Sequence, residues 1–164
     1  MSPTGSDKQH ESSMQIWVDA DACPKAVKEI VYRAATRREV LATFVANSPL
    51  TLPRSPFLHF IHVEAGFDVA DKEITRLMQS GDLVITADIP LAADAIEQGG
   101  YALNPRGKFY TRDNVQSALS MRNFLDSLRG AGEMTGGPAA FSHTDRTAFA
   151  NQLDRFLTKH LPKP

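Results

Sequence analysis

Three aspartates lie at or just beyond the ends of apolar runs that are predicted to form strands. Asp19 ends the run 15–19, Asp21 follows two residues later, and Asp88 comes two residues after the run 83–86. Ligands of open parallel sheets bind beyond the carboxyl ends of the strands, where the chain order reverses. Carboxylate oxygens suit hard divalent cations. The sequence therefore predicts a Mg²⁺ or Mn²⁺ site at this edge of the sheet.

A predicted helix over residues 68–79 offers a further carboxylate for this site. At about 100° per residue, Asp71 falls at the edge of the apolar stripe and Asp68 lies on the same side in the first turn. Acids in a first helical turn also cap the helix, and capping is the favoured role for Asp68. We expect Asp71 to contribute to the site. Asp94, opposite the apolar face of its own predicted helix, is expected to face solvent.

The single cysteine and a pair of histidines have structural explanations. Cys23 lies at a predicted helix start, but the nearby acids Asp19 and Asp21 oppose a thiolate, so a capping or packing role is favoured. His59 and His62 are three residues apart on a predicted strand, which places them on opposite faces. They are not expected to share a metal ion.

Cations alternate with aromatic residues in the segment 105–114. Such a pattern can grip phosphates and stack bases, and the candidate phosphate ligands are Arg106, Lys108 and Arg112. The alternative is a solvated turn that enters a helix capped by Thr111 or Asp113. The segment follows the fifth predicted strand, so we expect it to open on the same edge as the acids.

Small polar residues near the strand ends could orient water, the acids or a substrate. Asn47 and Ser48 begin the proline-rich loop 47–56 after the second predicted strand, and Thr86 ends the fourth. All three are candidate substrate-binding residues.

Alternating strands and helices predict a three-layer α/β fold with a mostly parallel central sheet of about five strands. The predicted strands are 15–19, 40–46, 59–63, 83–86 and 101–103. The predicted helices are 24–35, 68–79, 89–98, 111–129 and a C-terminal amphipathic helix. The continuously apolar fourth strand is typical of a central strand buried on both faces.

The ends of the chain differ in composition from its centre. Residues 1–13 contain no apolar run and are predicted to be a disordered lead, followed by an α/β domain over 14–130. Residues 131–141 are predicted to be a flexible linker, and 142–164 a C-terminal helix. We expect the apolar stripe of this helix to pack on its own domain, while a homodimer through the helix is the alternative.

Charge and cysteine content exclude several classes of protein. The 164 residues carry a net charge of −1, which argues against a polybasic nucleic-acid binder and a disordered acidic tail. Residues 14–97 contain eight basic and 12 acidic residues, whereas residues 98–164 contain nine basic and five acidic residues. A local nucleic-acid site remains compatible with this balance. The single cysteine cannot form a disulfide within the chain, which favours a reducing compartment such as the cytoplasm. No apolar run approaches the roughly 18 residues that a membrane-spanning helix needs.

Several segments together resemble the YaiI/YqxD family of bacterial proteins. They are WVDADACP, GFDVADKEI, GDLVITADIPLA, NPRG, TRDNV and TGGP. The resemblance runs from about Met14 to the C-terminal helix. It implies a PIN-like domain, a class in which many members are metal-dependent nucleases.

In PIN-like nucleases, acids after the first strand, on a mid-chain helix and after the fourth strand hold one or two metals. The resemblance carries these roles to Asp19, Asp71 (or Asp68) and Asp88. This chain departs from that class in two ways. The mid-chain acid is often Glu there and is Asp here. A further acid, found in that class a few residues beyond the third, would fall on Asp94, which is expected to face solvent.

The leading hypothesis is a Mg²⁺- or Mn²⁺-dependent phosphodiesterase that acts on RNA or another nucleic acid, with Asp19, Asp71 and Asp88 as catalytic residues. Asp21 and Asp68 are further metal-ligand candidates. A second hypothesis is a non-catalytic nucleic-acid or nucleotide-binding domain. A third is a haloacid-dehalogenase-like phosphatase, because IWVDADAC and VIT resemble motifs of that superfamily, with Asp19 as the nucleophile.

Overall fold

The computed structural model describes residues 14–132 and 140–162. One six-stranded sheet has the order β3-β2-β1-β4-β5-β6, in which all neighbours are parallel except β5 and β6. Its strands are β1 (Ile16–Asp19), β2 (Ala42–Ala46), β3 (Leu58–His62), β4 (Leu83–Ile85), β5 (Tyr101–Leu103) and β6 (Phe109–Tyr110). The predicted α/β class and mostly parallel sheet are confirmed.

Five helices surround this sheet. They are α1 (Lys25–Arg38), α2 (Val69–Leu77), α3 (Ile89–Glu97), α4 (Arg112–Gly130) and α5 (His143–His160). Thr111 and Asn114 form a capping box at the start of α4, so the choice between Thr111 and Asp113 falls on Thr111. Among the described residues, no helix is both long and apolar enough to span a membrane.

The side chains of β1 alternate between the two faces of the sheet. Ile16 and Val18 join the core that faces α1 and α5, whereas Trp17 joins the core that faces α2 and α3. By the same alternation, Asp19 lies on the face of α2 and α3. Buried helical residues on each face complete the predicted three layers: Val27, Ile30 and Phe149 on one side, and Ile74, Leu91 and Ala95 on the other.

The C-terminal helix packs on its own domain, as expected. Its apolar stripe is buried in the core shared with α1, through Phe149, Leu153, Phe156 and Leu157. This stripe is therefore used within the chain. A homodimer through α5 stays a prediction, and it would have to use another face of the helix.

The sixth strand was not predicted from the sequence. Phe109–Tyr110 is a two-residue strand that pairs antiparallel with β5, Leu103 opposite Phe109. A strand this short carries no detectable alternation, because period 2 needs several residues to show. The turn of the hairpin contains Gly107 at a φ of 90°, where an added Cβ would lie 2.6 Å from the backbone carbon of Ala148 in α5.

At the amino end of the sheet, Asp82 is an almost completely buried acid with 4% of its surface exposed. Its carboxylate accepts hydrogen bonds from the backbone N–H of Gln15 at 3.0 Å, from Nε1 of Trp17 at 2.9 Å and from the backbone N–H of Gln79 at 2.9 Å. Asp82 thus ties the start of β1 and the end of α2 to β4. It lies at the opposite end of the strands from Asp19 and Asp88.

The predicted disordered lead 1–13 lies outside the described residues, and so does most of the predicted linker, over 133–139.

Candidate metal centre

The candidate site lies where the order of the strands reverses. The chain runs from β1 outward to β2 and β3, then returns to place β4 on the other side of β1. The carboxyl ends of β1 and β4 therefore flank the crevice in which open α/β sheets bind ligands. Asp19 ends β1, and Asp88 follows β4 by three residues.

A hydroxyl between the two strands fixes both aspartates. Oγ1 of Thr86 donates a hydrogen bond of 2.9 Å to Oδ2 of Asp19 and accepts one of 2.9 Å from the backbone N–H of Asp88. Thr86 is only 1% exposed. It therefore positions the acids, and it has almost no surface for the direct substrate contact that was considered for it.

Asp88 also begins α3. Its Oδ1 accepts a hydrogen bond of 3.3 Å from the backbone N–H of Leu91, which makes Asp88 the N-cap residue, and Pro90 follows in the first turn. Pro suits this place because its missing N–H would find no partner inside the helix. The capping hydrogen bond orients the half-buried carboxylate through Oδ1 and does not use Oδ2.

The prediction that Asp68 caps α2 with its side chain is wrong. Asp68 occupies the N-cap position in a left-handed conformation, φ 64° and ψ 8°, without a side-chain capping hydrogen bond. Its carboxylate instead joins those of Asp71 and Asp88: one ligand oxygen from each residue lies within 4.8 Å of the others. Asp68, Asp71 and Asp88 are called the acidic cluster below.

The acids raise one another's affinity for protons. The pKa of Asp71 rises to about 7 because burial disfavours its charge, because Asp88 and Asp19 are negative, and because it shares a hydrogen bond with Asp88, with a smaller contribution from Asp68. Burial also raises the pKa of Asp19, against the hydrogen bond from Thr86, which lowers it. Asp19 therefore borders the acidic cluster and interacts with it electrostatically.

No base in the described residues compensates this negative charge through a salt bridge with Asp19 or the acidic cluster. Crowded carboxylates share protons when nothing else neutralises them. Three carboxylates at the starts of two helices form an oxygen-only donor set, which is the chemistry that Mg²⁺ and Mn²⁺ prefer. The residues present thus fit a divalent cation.

Asp94 is exposed, as expected, and stands near the site. Burial and the charge of Glu97 raise its pKa, and the charges of Asp88 and Asp68 raise it further. It lies near the acidic cluster, outside the group of three close ligand atoms.

Asp21 anchors the loop that follows β2 at this edge of the sheet. Its carboxylate accepts hydrogen bonds from the backbone N–H of Asn47 at 2.7 Å and of Ser48 at 3.2 Å. Both carboxylate oxygens are thereby used to anchor the loop 47–57. The side chains of Asn47 and Ser48 are exposed, and Ser48 Oγ donates to Oδ1 of Asn47 at 3.4 Å.

The three cations of segment 105–114 do not lie together. Lys108 is exposed in the β5–β6 hairpin, at the carboxyl end of β5 and hence on the edge of the acids. Arg106 forms a salt bridge of 2.8 Å with Asp145 of α5. Because β6 runs antiparallel, the chain leaves Tyr110 toward the amino end of the sheet, so Arg112 begins α4 away from the acids.

Cys23 and the two histidines have the structural roles expected of them. Cys23 is buried, and burial raises the pKa of its thiol to about 12, so it is a packing residue with no tendency to form a thiolate. His59 and His62 lie on opposite faces of β3.

One exposed residue beside the site was missed. Phe67, directly before Asp68, is 86% exposed. The available signal was its place between Gly66 and Asp68, ahead of the apolar stripe of α2 rather than within it.

Comparison with known proteins agrees with the resemblance seen in the sequence. The family model described as "Uncharacterized BCR, YaiI/YqxD family" matches residues 17–159. A UPF0178 protein of Janthinobacterium sp. (strain Marseille) is 61% identical over 150 residues, which cover 92% of this chain and 99% of the relative. The UPF0178 protein of Herminiimonas arsenicoxydans is 62% identical over 146 residues, 89% of this chain and 98% of the relative. No solved structure matches. The chain belongs to the YaiI/YqxD family.

Proposed function

We propose that this chain is a divalent-metal-dependent phosphodiesterase that cleaves RNA or another nucleic acid. The observation that carries the proposal is the acidic cluster, whose ligand oxygens lie within 4.8 Å of one another at the crevice between β1 and β4. The resemblance to PIN-like nucleases, in which acids at corresponding positions hold metal, supports the same reaction class.

Asp68, Asp71 and Asp88 are the residues that would hold the cation, with Asp19 beside them. When bound, Mg²⁺ or Mn²⁺ supplies Lewis acidity toward a phosphodiester and the attacking water. Thr86 keeps Asp19 and the start of α3 in a fixed relation through its two hydrogen bonds of 2.9 Å. Acids that are already held in place do not have to change position during the reaction, which lowers its free-energy cost.

Substrate contacts are proposed on the same edge. Lys108 is exposed on the hairpin, and the exposed side chains of Asn47 and Ser48 stand on the loop that Asp21 anchors. A lysine there would attract phosphates as a point charge. For Arg106 the salt bridge to Asp145 makes a fold-stabilising role the better supported one, and phosphate binding by Arg112 stays a prediction. A cytoplasmic location and a homodimer are further parts of this proposal.

The test is cleavage of labelled single-stranded RNA and DNA in Mn²⁺, Mg²⁺ or EDTA. We expect metal-dependent cleavage by the wild-type chain and its loss in Asp19→Asn, Asp71→Asn and Asp88→Asn. Asp113→Asn is the matched control, since Asp113 is an exposed acid in the first turn of α4 and no part of the site.

Cleavage that persists in EDTA, or that survives all three site variants, would overturn the proposal. Metal-dependent binding without cleavage would identify a non-catalytic nucleic-acid-binding domain instead. A beryllofluoride adduct on Asp19 would identify a phosphatase.

A further inference from the structure

Phe67 is the most exposed large apolar side chain of the described residues, at 86% against 56% for the next, Met121 and Phe124. It belongs to none of the apolar clusters of the described core. A fully exposed phenyl ring forgoes the favourable free energy of burial that an aromatic residue normally contributes. Phe67 stands directly before Asp68, a member of the acidic cluster.

The backbone on both sides of Phe67 is held by hydrogen bonds. Asp68 adopts a left-handed conformation, which non-glycine residues rarely occupy, and the backbone N–H of Val69 closes a turn on the carbonyl of Gly66 at 3.5 Å. The strand before it is anchored, because the backbone N–H of Val63 donates to Ala46 at 2.9 Å. Phe67 therefore has a defined place, one residue from a member of the acidic cluster.

The turn places next to each other two groups that can contact a nucleotide, the ring of Phe67 and the carboxylate of Asp68 in the acidic cluster. Adjacent Cα atoms are about 3.8 Å apart, so the ring of Phe67 and the carboxylate of Asp68 depart from neighbouring points of the chain. The acidic cluster, once it holds a cation, would attract a phosphate, and the flat phenyl face can take the base of a nearby nucleotide. A phenyl ring has no hydrogen-bond donor or acceptor, so it accepts every base face and reads no base edge.

We propose that Phe67 is a stacking platform for an unpaired base, and that the substrate of this site is therefore a single-stranded nucleic acid. This inference rests on the proposed function. In a duplex, both faces of an internal base are already covered by its neighbours, and its exposure costs unstacking free energy. Phe67 is a substrate-binding residue, whereas the reaction itself belongs to the aspartates.

The test compares Phe67→Ala and Phe67→Trp with the wild-type full chain, and Phe124→Ala is the matched control because Phe124 is also an exposed phenylalanine but lies on α4. Binding is measured by fluorescence anisotropy in Ca²⁺, which uses oxygen ligands as Mg²⁺ does. The probes are a short labelled single-stranded oligonucleotide, the blunt duplex of the same sequence, and a single strand with abasic positions.

We expect Phe67→Ala to weaken single-strand binding by about 5- to 150-fold, the range found when an aromatic stacking partner of one base is removed. Phe67→Trp and Phe124→Ala should bind like the wild type. The abasic strand should bind weakly, and Phe67→Ala should weaken it little further.

Unchanged single-strand affinity in Phe67→Ala, or equal affinity of the wild type for duplex and single strand, would overturn the stacking role even if metal-dependent cleavage is found. Wild-type binding that depends on Phe67 without cleavage in Mn²⁺ would support stacking while the phosphodiesterase proposal fails. A wild-type chain that neither binds nor cleaves any probe overturns both.

Discussion

Thr86, directly after β4, and Asp19, the last residue of the neighbouring parallel strand β1, are 67 positions apart and are joined by a hydrogen bond of 2.9 Å from the Thr86 hydroxyl to Oδ2 of Asp19. The same hydroxyl accepts the backbone N–H of Asp88. One buried side chain thereby sets the orientation of two acids that border the crevice. This relationship makes the geometry of the site sensitive to a single atom.

Thr86→Val removes that atom and keeps the shape of the side chain. The backbone N–H of Asp88 and Oδ2 of Asp19 each lose a partner, which costs about 1–3 kcal/mol of the free energy of unfolding. We expect weaker Mn²⁺ binding as well, whereas Thr86→Ser retains the hydroxyl and should behave nearly as the wild type. Urea unfolding and calorimetric Mn²⁺ titration measure the two effects, and equal metal affinity in all three proteins would contradict the positioning role.

Metal affinity should depend on pH up to neutrality. The pKa of Asp71 is about 7 without metal, so binding below that pH must displace a proton from it. The Mn²⁺ association constant should rise by up to about tenfold per pH unit as the pH approaches 7, then level off. Asp71→Asn should bind more weakly with a flatter profile. An affinity that is already constant from pH 5 upward would show that Asp71 does not hold the metal.

The same carboxyl should destabilise the metal-free fold at high pH. The pKa of Asp71 in the folded state is raised from 3.8 to about 7, so the folded state binds more protons than the unfolded state between these pH values. The free energy of unfolding therefore falls as the pH rises toward 7, and above 7 the stabilisation from the neutral carboxyl is lost. In EDTA at pH 8, Asp71→Asn should therefore be more stable than the wild type by roughly 1–2 kcal/mol, after a discount for solvent screening of this half-buried group.

At pH 4 that difference should nearly vanish, because Asp71 is then largely neutral in the folded state. Urea unfolding of both proteins at the two pH values checks the sign. A variant less stable than the wild type at pH 8 would contradict the like-charge repulsion.

Asp82 provides a contrast at the other end of the sheet. Asp82→Ala would leave three N–H donors without their acceptor, those of Gln15, Trp17 and Gln79, and should cost about 3–5 kcal/mol of stability. Because Asp82 lies away from the crevice, the folded fraction should bind Mn²⁺ with wild-type affinity. A loss smaller than about 1 kcal/mol would show that the buried carboxylate does not hold β1 and α2 in place.

Gly107 and Gly132 separate backbone strain from steric conflict. Both have a positive φ, 90° and 86°, but an added Cβ at Gly107 would lie 2.6 Å from Ala148, whereas at Gly132 no atom of the described residues lies within 4 Å. Gly132→Ala should cost about 1–2 kcal/mol from the left-handed conformation alone. Gly107→Ala should cost at least about 2 kcal/mol more, since the hairpin must move from α5. Similar melting temperatures for the two variants would contradict the close packing.

Much of the fold could be predicted because the patterns that specify it are local. Ile16 and Val18 lie within one run, and Val27, Ile30 and Val31 repeat at helical spacing, so element type follows from short-range periodicity. The gathering of Asp19 and Asp88 at one edge followed from the rule that parallel strands end together. The acidic neighbours of Cys23 predicted that it does not form a thiolate, and in the structure burial raises the pKa of the thiol more than the charge of Asp19 does.

Other features depend on partners that are distant in the sequence. Arg106 forms a salt bridge with Asp145, 39 residues later, a partner that no local pattern indicates. Asp21 accepts hydrogen bonds from the backbone N–H groups of Asn47 and Ser48, which lie 26 and 27 residues away in the sequence. Asp82 drew no notice, because its two longest-range donors are 65 and 67 residues away.

The sequence by itself determined the family, the alternation of strands and helices, and the set of acids available for a metal site, because each is written in residue types and short spacings. The tertiary structure alone decided which carboxylates converge. It placed Asp68 in the acidic cluster without a side-chain capping hydrogen bond and used Asp21 to anchor the loop after β2. It also made β6 antiparallel, so that the chain leaves Tyr110 toward the amino end of the sheet before Arg112 begins α4. The physical reason is that a side chain's role depends on the backbone conformation and the distant hydrogen-bond donors around it, which only the packed chain brings together.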